Sequence, residues 1–258
     1  MNYQTKQYQL SPAAGKRLIA KALIHIPEIA DALTERTVVV IAGTTNGYVA
    51  EEFLTKLNQT EGFSRKRFFR GITLPPQYQV TEAGRFEEDK FPGDVVIVKG
   101  VWEKGKTIMD VADSLRQGDV IIKGANAVNL EARQAAIYIG HPAGGTIIPT
   151  LQCVIGRRVG LYLPIGLEKR ISGDINKIAE MLNSSNASGL RYLPVNGNII
   201  TELEAIKIIT GATAELVAGG GVSGAEGSYW IAVTGNEEQL NQADLLLKAI
   251  KQEPNFVL

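Results

Sequence analysis

Short runs of β-branched residues are the feature that most constrains the fold of this chain. TVVVIAG at 37–43, GDVVIVKG at 93–100 and GDVIIKG at 118–124 are apolar at nearly every central position. Such runs are typical of strands covered on both faces, as in the parallel sheets of α/β proteins. The first run leads into a polar turn and an amphipathic helix, which is the first half of a βαβ unit. The sequence therefore predicts an α/β protein with a largely parallel open sheet and flanking helices.

The second and third runs have nearly the same sequence: a Gly-Asp turn, a β-branched strand, then Lys-Gly. The interval between them contains a helical pattern at 106–115. A crossover of this length suits two parallel strands and is expected to be right-handed. We therefore predict two neighbouring parallel strands that bring Lys99 and Lys123 to one edge of the sheet.

Further elements follow from capping residues and periodicity. Ser11 and Pro12 mark the start of a first helix. Helices are also predicted at 131–140 and 172–182, the latter beginning near Ser172 or Asp174, and strands at 146–156 and 158–166.

A linker of small and polar residues at 183–189 divides the chain into two predicted domains, 1–187 and 188–258. The second domain has the predicted element order βαββαβ, which is that of a ferredoxin-like subdomain. Its first helix is predicted to begin with a capping box at Thr201 and Glu204. Its last strand is expected at 255–258, and this exposed edge favours a homodimer.

Composition excludes several classes of partner. Lysine plus arginine and aspartate plus glutamate each number 27, so no field of one sign attracts nucleic acid or membrane. The basic, aromatic stretch at 63–71 is interpreted as a solvated connection or a local anion contact. One cysteine and two histidines make a metal site unexpected, and no cofactor is predicted. With no secretory signal or apolar run long enough to cross a bilayer, we expect a cytoplasmic protein.

The first candidate site is the corner between the strand at 37–43 and the following helix. Ligands of parallel sheets bind beyond the carboxyl ends of strands, where backbone N–H groups and hydroxyls suit an oxyanion. The alternative is a capped helix with Thr44 or Thr45 as N-cap. The predicted ligand-binding residues here are Gly43, Thr44, Thr45, Asn46 and Gly47.

The second corner follows the strand at 118–124. Lys123 is a candidate anion ligand and catalytic group, and the asparagines after it are candidate hydrogen-bonding groups; the alternative is turn chemistry, which asparagine favours. With the matching corner of the first copy, the predicted ligand-binding residues are Lys99, Gly100, Gly124, Asn126 and Asn129.

A third corner is the Gly/Pro-rich loop GHPAGGT at 140–146. His141 is a candidate acid, base or anion ligand, with Gly144 and Gly145 beside it; alternatively, it caps or stiffens the loop. Glu168 follows another strand end and completes the predicted catalytic set of His141, Lys123 and Glu168. The loop at 218–227 is either a ligand-wrapping segment, with Glu226 as its one carboxylate, or a flexible hairpin loop.

Three stretches resemble the superfamily of ribose-5-phosphate isomerase, glucosamine-6-phosphate deaminase and the coenzyme A transferases. VVVIAGTTNGYVAEEFL resembles the opening strand, Gly-Thr-rich phosphate loop and helix of those proteins, and DVIIKGANAVN resembles the isomerase strand with a Gly-Ala-Asp-Glu-Val-Asp run. VGLYLPIGLEKRISGDINKIAEML looks like the late strand and Gly-Leu-Glu-Lys turn of lactate-utilisation domains. The resemblance covers about half of the chain and implies the same fold more strongly than the same activity.

The chain departs from the isomerase pattern where that pattern has acids, since Asn126, Ala127 and Asn129 stand there. An amide cannot act as the general base that moves a proton between carbons. We therefore expect a protein that binds a small anionic metabolite, a class that includes phosphorylated compounds. One hypothesis is that it is a transferase or isomerase. The other hypothesis is a non-catalytic ligand-sensing or assembly protein on the same fold.

Overall fold

The structure is a computed structural model and describes residues 3–70, 73–74 and 92–257. The expected α/β class is confirmed: helices flank a six-stranded, largely parallel sheet. The described strands, in chain order, are β1 (Gln4–Leu10), β2 (Thr37–Val40), β3 (Val95–Val98), β4 (Val101–Trp102), β5 (Val120–Ile122), β6 (Ala127–Asn129), β7 (Gln134–Ile139), β8 (Gly160–Pro164), β9 (Arg191–Val195), β10 (Asn198–Ile200), β11 (Thr213–Gly220) and β12 (Ser228–Gly235).

The α-helices of the described residues alternate with these strands for much of the chain. They are α1 (Pro12–Leu23), α2 (Pro27–Glu35), α3 (Thr44–Lys56), α4 (Ile108–Val111), α5 (Ile147–Arg157), α6 (Ile175–Leu182), α7 (Glu202–Thr210) and α8 (Glu237–Ile250). None of them, within the described part of the chain, has the length and apolar character needed to cross a bilayer.

The central sheet has the strand order β10-β8-β5-β2-β3-β4. The first four strands are parallel to one another, while β3 is antiparallel to both of its neighbours. Its β-branched runs are buried because helices or loops cover both faces, which agrees with the apolar pattern of the sequence. The carboxyl ends of four strands therefore meet at one edge of this sheet.

The predicted adjacency of the two similar strands is wrong. β2 lies between β3 and β5. β3 pairs with β2 antiparallel and β5 pairs with β2 parallel, so β3 and β5 run in opposite directions. At the end of β3, Lys99 and Gly100 have φ of 47° and 81°, so they form a two-residue hairpin turn into β4. Lys99 consequently lies beside Arg36, before β2 begins, and at the opposite end of the sheet from Lys123.

Two segments have the opposite secondary structure from the one predicted. Residues 131–140, predicted as a helix, contain β7, whose alanines are buried between β6 and β9. Residues 146–156, predicted as a strand, form α5, whose buried face carries Ile147, Thr150 and Cys153 at helical spacing. In both cases tertiary packing overrides a weak local preference, and Pro149 is tolerated because it lies in the first turn of α5.

The helices expected in the C-terminal segment form, as do the strands expected before residue 255, but these strands do not close a sheet of their own. β9 pairs with β7, β10 pairs with β8, and the β11–β12 hairpin pairs with β1. This connectivity differs from a separate ferredoxin-like sheet, and described residues 255–257 form no strand. The domain boundary near residue 188 and the homodimer stay predictions.

Candidate functional site

The parallel edge of the central sheet gathers the polar groups that follow β2, β5 and β8. The first turn of α3 follows β2, and Lys123 follows β5 directly. The loop at 140–146 reaches the same edge, since Thr146 contacts Lys123. The turn at 165–170 follows β8 and touches the segment after β5 through Lys169 and Ala125. Ligands of open α/β sheets bind at an edge of this kind.

The N-terminus of α3 has polar groups that the described protein does not satisfy. Its N-cap is Gly43, which provides no side-chain cap for the first N–H groups of the helix. Thr45 and Asn46 are 2% and 1% exposed. Thr45 Oγ1 and Asn46 Oδ1 are buried and have no hydrogen-bond partner among the described residues. Buried polar atoms are normally paired, so this turn has unused capacity for a ligand.

The same helix turn is tied to the strands beneath it. Asn46 Nδ2 donates to the carbonyl of Ile41 at 2.6 Å and to that of Ile122 at 3.2 Å. Asn46 thus bridges the carboxyl ends of β2 and β5, and it places the start of α3 next to the residue that precedes Lys123.

Lys123 is only 8% exposed. Its Nζ donates to Thr146 Oγ1 at 3.0 Å, and no ion pair among the described residues includes it. Burial lowers the pKa of its ammonium to about 8; Asp94 nearby opposes this change and Arg70 adds to it. A buried cation with only a hydroxyl contact is costly, which is typical of functional lysines.

Asp94 organises the residues around this corner. Its carboxylate is fully buried and accepts the backbone N–H of Ala42 at 3.0 Å, that of Ile108 at 2.8 Å and Arg70 Nη2 at 2.9 Å. It therefore joins the loop before α3 to the start of α4. The Gly-Asp turn before β3 was read only as a turn, so the sequence reasoning missed this role of Asp94 and that of Arg70.

Two glycines border open space at the same edge. A Cβ added to Gly124 would have no described atom within 4 Å, and one added to Gly43 would meet only Asn46 Cβ at 4.0 Å. Two other depressions, of about 500 and 270 Å³, lie at the start of α8 and between β10 and α7. Neither depression borders Lys123, and the first is lined mainly by exposed side chains.

A second cluster of buried charges lies next to this corner, at the ends of β8 and β10. Glu168 Oε1 pairs with Lys16 Nζ at 2.7 Å, while Glu168 Oε2 is buried without a described partner. Burial alone would raise the pKa of Glu168, but Lys16 and Lys169 outweigh it, so the pKa is lowered. Lys169 Nζ donates to the carbonyl of Ala125 at 2.8 Å.

Glu202 completes this second cluster. It is wholly buried and accepts Tyr229 Oη at 2.6 Å and the N–H of Leu167 at 2.9 Å. Burial, with the nearby Glu168 charge, raises its pKa to about 7. The sequence reasoning treated Glu202 only as part of a helix start and missed it, because its partners Leu167 and Tyr229 are far away in sequence.

Other predicted site residues are engaged in contacts within the protein. His141 is exposed, and its Nδ1 accepts the N–H of Ala143 at 3.1 Å, which stiffens the loop. Asn126 Oδ1 accepts the N–H of Tyr138 at 3.0 Å, and Asn129 Oδ1 accepts that of Ala132 at 2.9 Å. The Asn129–Ala132 contact is local, as in a turn, but Asn126 bridges to β7, and Asn129 Nδ2 also donates to the distant carbonyl of Gly173 at 3.1 Å.

The predicted glycines have different roles. A Cβ on Gly47 would lie 3.1 Å from Arg65 Cβ, so this residue allows the connection at 63–67 to pack on α3. Gly144 and Gly145 have φ of 79° and 63° and turn the loop towards α5. Gly100, like Lys99, lies at the opposite end of the sheet. In the loop at 218–227, Glu226 Oε2 accepts the N–H of Gly224 at 2.8 Å, a contact within the loop.

No protein-family model, no curated protein and no solved structure matches this chain. Among the described residues there is also no group of three or more histidine, cysteine, aspartate or glutamate side chains placed to hold a metal ion.

Proposed function

We propose that this protein binds a small anionic metabolite between Lys123 and the N-terminus of α3. The observation that carries the proposal is the buried Lys123 ammonium, whose Nζ has a hydroxyl contact and no ion pair among the described residues. A carboxylate or phosphate group would supply the missing counter-charge. The uncapped N–H groups of α3 and the unpaired Thr45 hydroxyl support an anion at the same place.

The proposal extends to a transferase or isomerase acting on that metabolite. Glu168 lies at the same sheet edge with one unpaired carboxylate oxygen, and its neighbour Glu202 has a raised pKa, so groups for proton transfer are close. The alternative is a non-catalytic ligand sensor, favoured because the Asn126 and Asn129 amides are engaged by backbone groups of the protein. An enzyme consumes the bound compound, whereas a sensor leaves it unchanged, which NMR of the ligand after incubation distinguishes.

The first prediction concerns anion-dependent stability. Inorganic phosphate or acetate is expected to raise the melting temperature of the wild type, and Lys123→Met should abolish that increase because it removes the buried charge. Lys99→Met is the matched control: it changes the corresponding lysine of the similar strand, which is exposed at the other end of the sheet. It should keep the full response and also corrects for general salt effects.

The pH dependence of the same response provides a second criterion. Because the pKa of Lys123 is about 8, the ammonium loses its proton as the pH rises through that value, and the Lys123-dependent part of the shift should decline between pH 7 and 9. If neither anion gives a shift that depends on Lys123, the proposed site is wrong.

A further inference from the structure

Lys123 differs from the other buried lysines of this edge in what its nitrogen contacts. Lys16 Nζ is 2.7 Å from Glu168 Oε1. Lys169 Nζ donates to the carbonyl of Ala125 and is attracted by the nearby negative charge of Glu168. The hydrogen bond of Lys123 goes instead to Thr146 Oγ1. A hydroxyl can donate as well as accept, so this contact is compatible with an uncharged amine.

The surroundings of Lys123 increase the fraction of its amine that is uncharged. Its side chain is withdrawn from water, and the nearby Asp94 carboxylate is occupied by Arg70 and two backbone N–H groups. With a pKa of about 8, roughly a tenth of the amine is neutral at pH 7, far more than for an ordinary lysine. A lysine that is desolvated or close to another cation is a typical nucleophile towards carbonyl groups.

We propose that Lys123 forms an imine with the carbonyl carbon of a short anionic oxo compound whose carboxylate or phosphate group lies at the N-terminus of α3. This inference rests on the proposed function and names the substrate class of that site. A short compound suits this corner, because Asn46 of α3 contacts the carbonyl of Ile122, the residue before Lys123. A Cβ added to Gly124 would meet no described atom within 4 Å and one added to Gly43 only Asn46 Cβ, so there is room beside the ends of β5 and β2.

The step needs no oxidant or further reactant. The nitrogen lone pair of the neutral amine adds to the carbonyl carbon, and a proton moves from nitrogen to the carbonyl oxygen to give a carbinolamine. Loss of the hydroxyl group as water, with uptake of one proton, leaves the protonated imine. The Thr146 hydroxyl, 3.0 Å from Nζ, is placed to pass the proton between nitrogen and oxygen. Thr146 acts here as a positioning and proton-transfer residue.

Reductive trapping tests this inference. The folded wild-type protein is incubated briefly with glyoxylate and cyanoborohydride, and peptide mass spectrometry locates the carboxymethyl group left on lysine. Lys123 should be labelled at least about ten-fold faster than Lys99, because about a tenth of the Lys123 amine is neutral at pH 7 and the anion is held next to it. Inorganic phosphate should slow the labelling of Lys123 and leave that of Lys99 unchanged.

Two variants separate the imine from the anion site. Lys123→Arg keeps a cation but cannot form an imine, so it should lose the label while retaining the phosphate-dependent thermal shift. Thr146→Val should slow labelling of Lys123 without removing that shift. Because the mapping is done on the wild type, the test does not depend on either variant folding.

The outcomes distinguish the two proposals. If phosphate stabilises the protein through Lys123 but Lys123 is labelled no faster than exposed lysines, the imine is overturned and the anion site stands. If there is neither a Lys123-dependent shift nor preferential labelling, both fail. Preferential labelling that phosphate slows supports both.

Discussion

At the scale of single residues, the fold shifts the protonation equilibrium of Glu202. Its pKa is raised from 4.5 to about 7 by burial and by Glu168. Because the carboxyl pKa is higher in the folded than in the unfolded state, protonation stabilises the folded state. This stabilisation is complete at a pH below the unfolded-state pKa of about 4.5 and is lost as the pH rises from about 4.5 through 7. The protonated carboxyl can still bond to both Tyr229 and Leu167, so the folded state favours it.

The prediction is a change in the pH profile of stability in Glu202→Gln. The glutamine does not titrate and can preserve both contacts, with its oxygen accepting from Leu167 and its nitrogen donating to Tyr229. Between pH 5 and 8 the free energy of unfolding of the wild type should fall relative to the variant by roughly 2 kcal/mol. Urea unfolding at both pH values measures this difference.

Glu238→Gln is the control, since Glu238 is an exposed carboxyl in the first turn of α8. Its unfolding free energy should run parallel to that of the wild type across the pH range. Parallel profiles for Glu202→Gln and the wild type would instead mean that Glu202 is ionised throughout, and the acid–base part of the proposed function would lose its support.

At the scale of elements, the close approach of α1 to the second charged cluster depends on Gly15. A Cβ at this position would collide with Tyr229 Oη and Glu202 Oε1. Gly15→Ala should therefore destabilise the protein by about 1–3 kcal/mol, although alanine is normally better than glycine in a helix by about 1 kcal/mol. The measurement is the free energy of unfolding in urea at neutral pH.

Gly156→Ala is the matched control for that prediction. Gly156 lies in α5, and a Cβ there would have no described atom within 4 Å. Helix propensity should then act alone and stabilise the protein by up to about 1 kcal/mol. If both substitutions stabilise, α1 can move away from Glu202 and Tyr229, and the tight packing of that cluster is not essential.

The elements that could be predicted are those marked by local chemistry. The caps formed by Ser11, Asp174 and the Thr201–Glu204 pair are confirmed, as are the β-branched strands. The direction of β3 could not be read from its composition, because a strand buried on both faces has the same pattern in either direction. The alanines of β7 and the isoleucines of α5 gave misleading preferences that only pairing and packing override.

The candidate site was predictable to a similar extent. The corner at α3 and Lys123 follows from the rule that ligands bind beyond parallel strand ends. Asp94 and Glu202 were missed because their partners are far away in sequence: Asp94 bonds to Ala42, and Glu202 bonds to Leu167 and Tyr229. Such contacts depend on the tertiary arrangement and leave no local signal.

At the scale of the whole molecule, segments from both ends of the chain share the same sheets. The N-terminal β1 pairs with β12, and β10 extends the central sheet next to β8. Residues 188–258 are therefore integrated with the rest of the fold through backbone pairing. An ion-pair network near the C-terminus adds a side-chain connection of the same kind.

This Arg17 network balances three cations against three carboxylates. Arg17 contacts Glu51, Glu52 and Glu253, and the remaining cations, Lys21 and Arg65, bind the same three carboxylates. The Tyr48 ring lies under both guanidinium groups, 4.9 Å from Arg17 and 4.6 Å from Arg65. The network thus joins α1, α3 and the connection at 63–67 to the segment after α8.

Glu253→Gln should destabilise the whole protein by roughly 2 to 3 kcal/mol, because it leaves one cation in excess among side chains that are little exposed. The loss should persist at high salt, since buried pairs are poorly screened. Glu103→Gln, which breaks the exposed pair with Lys106, should cost less than about 1 kcal/mol and depend on salt. Urea unfolding at low and high salt compares the two variants. Equal, salt-sensitive losses would show that water enters the network and that residues 188–258 are held to the rest of the fold mainly by the pairing of β9, β10 and β12.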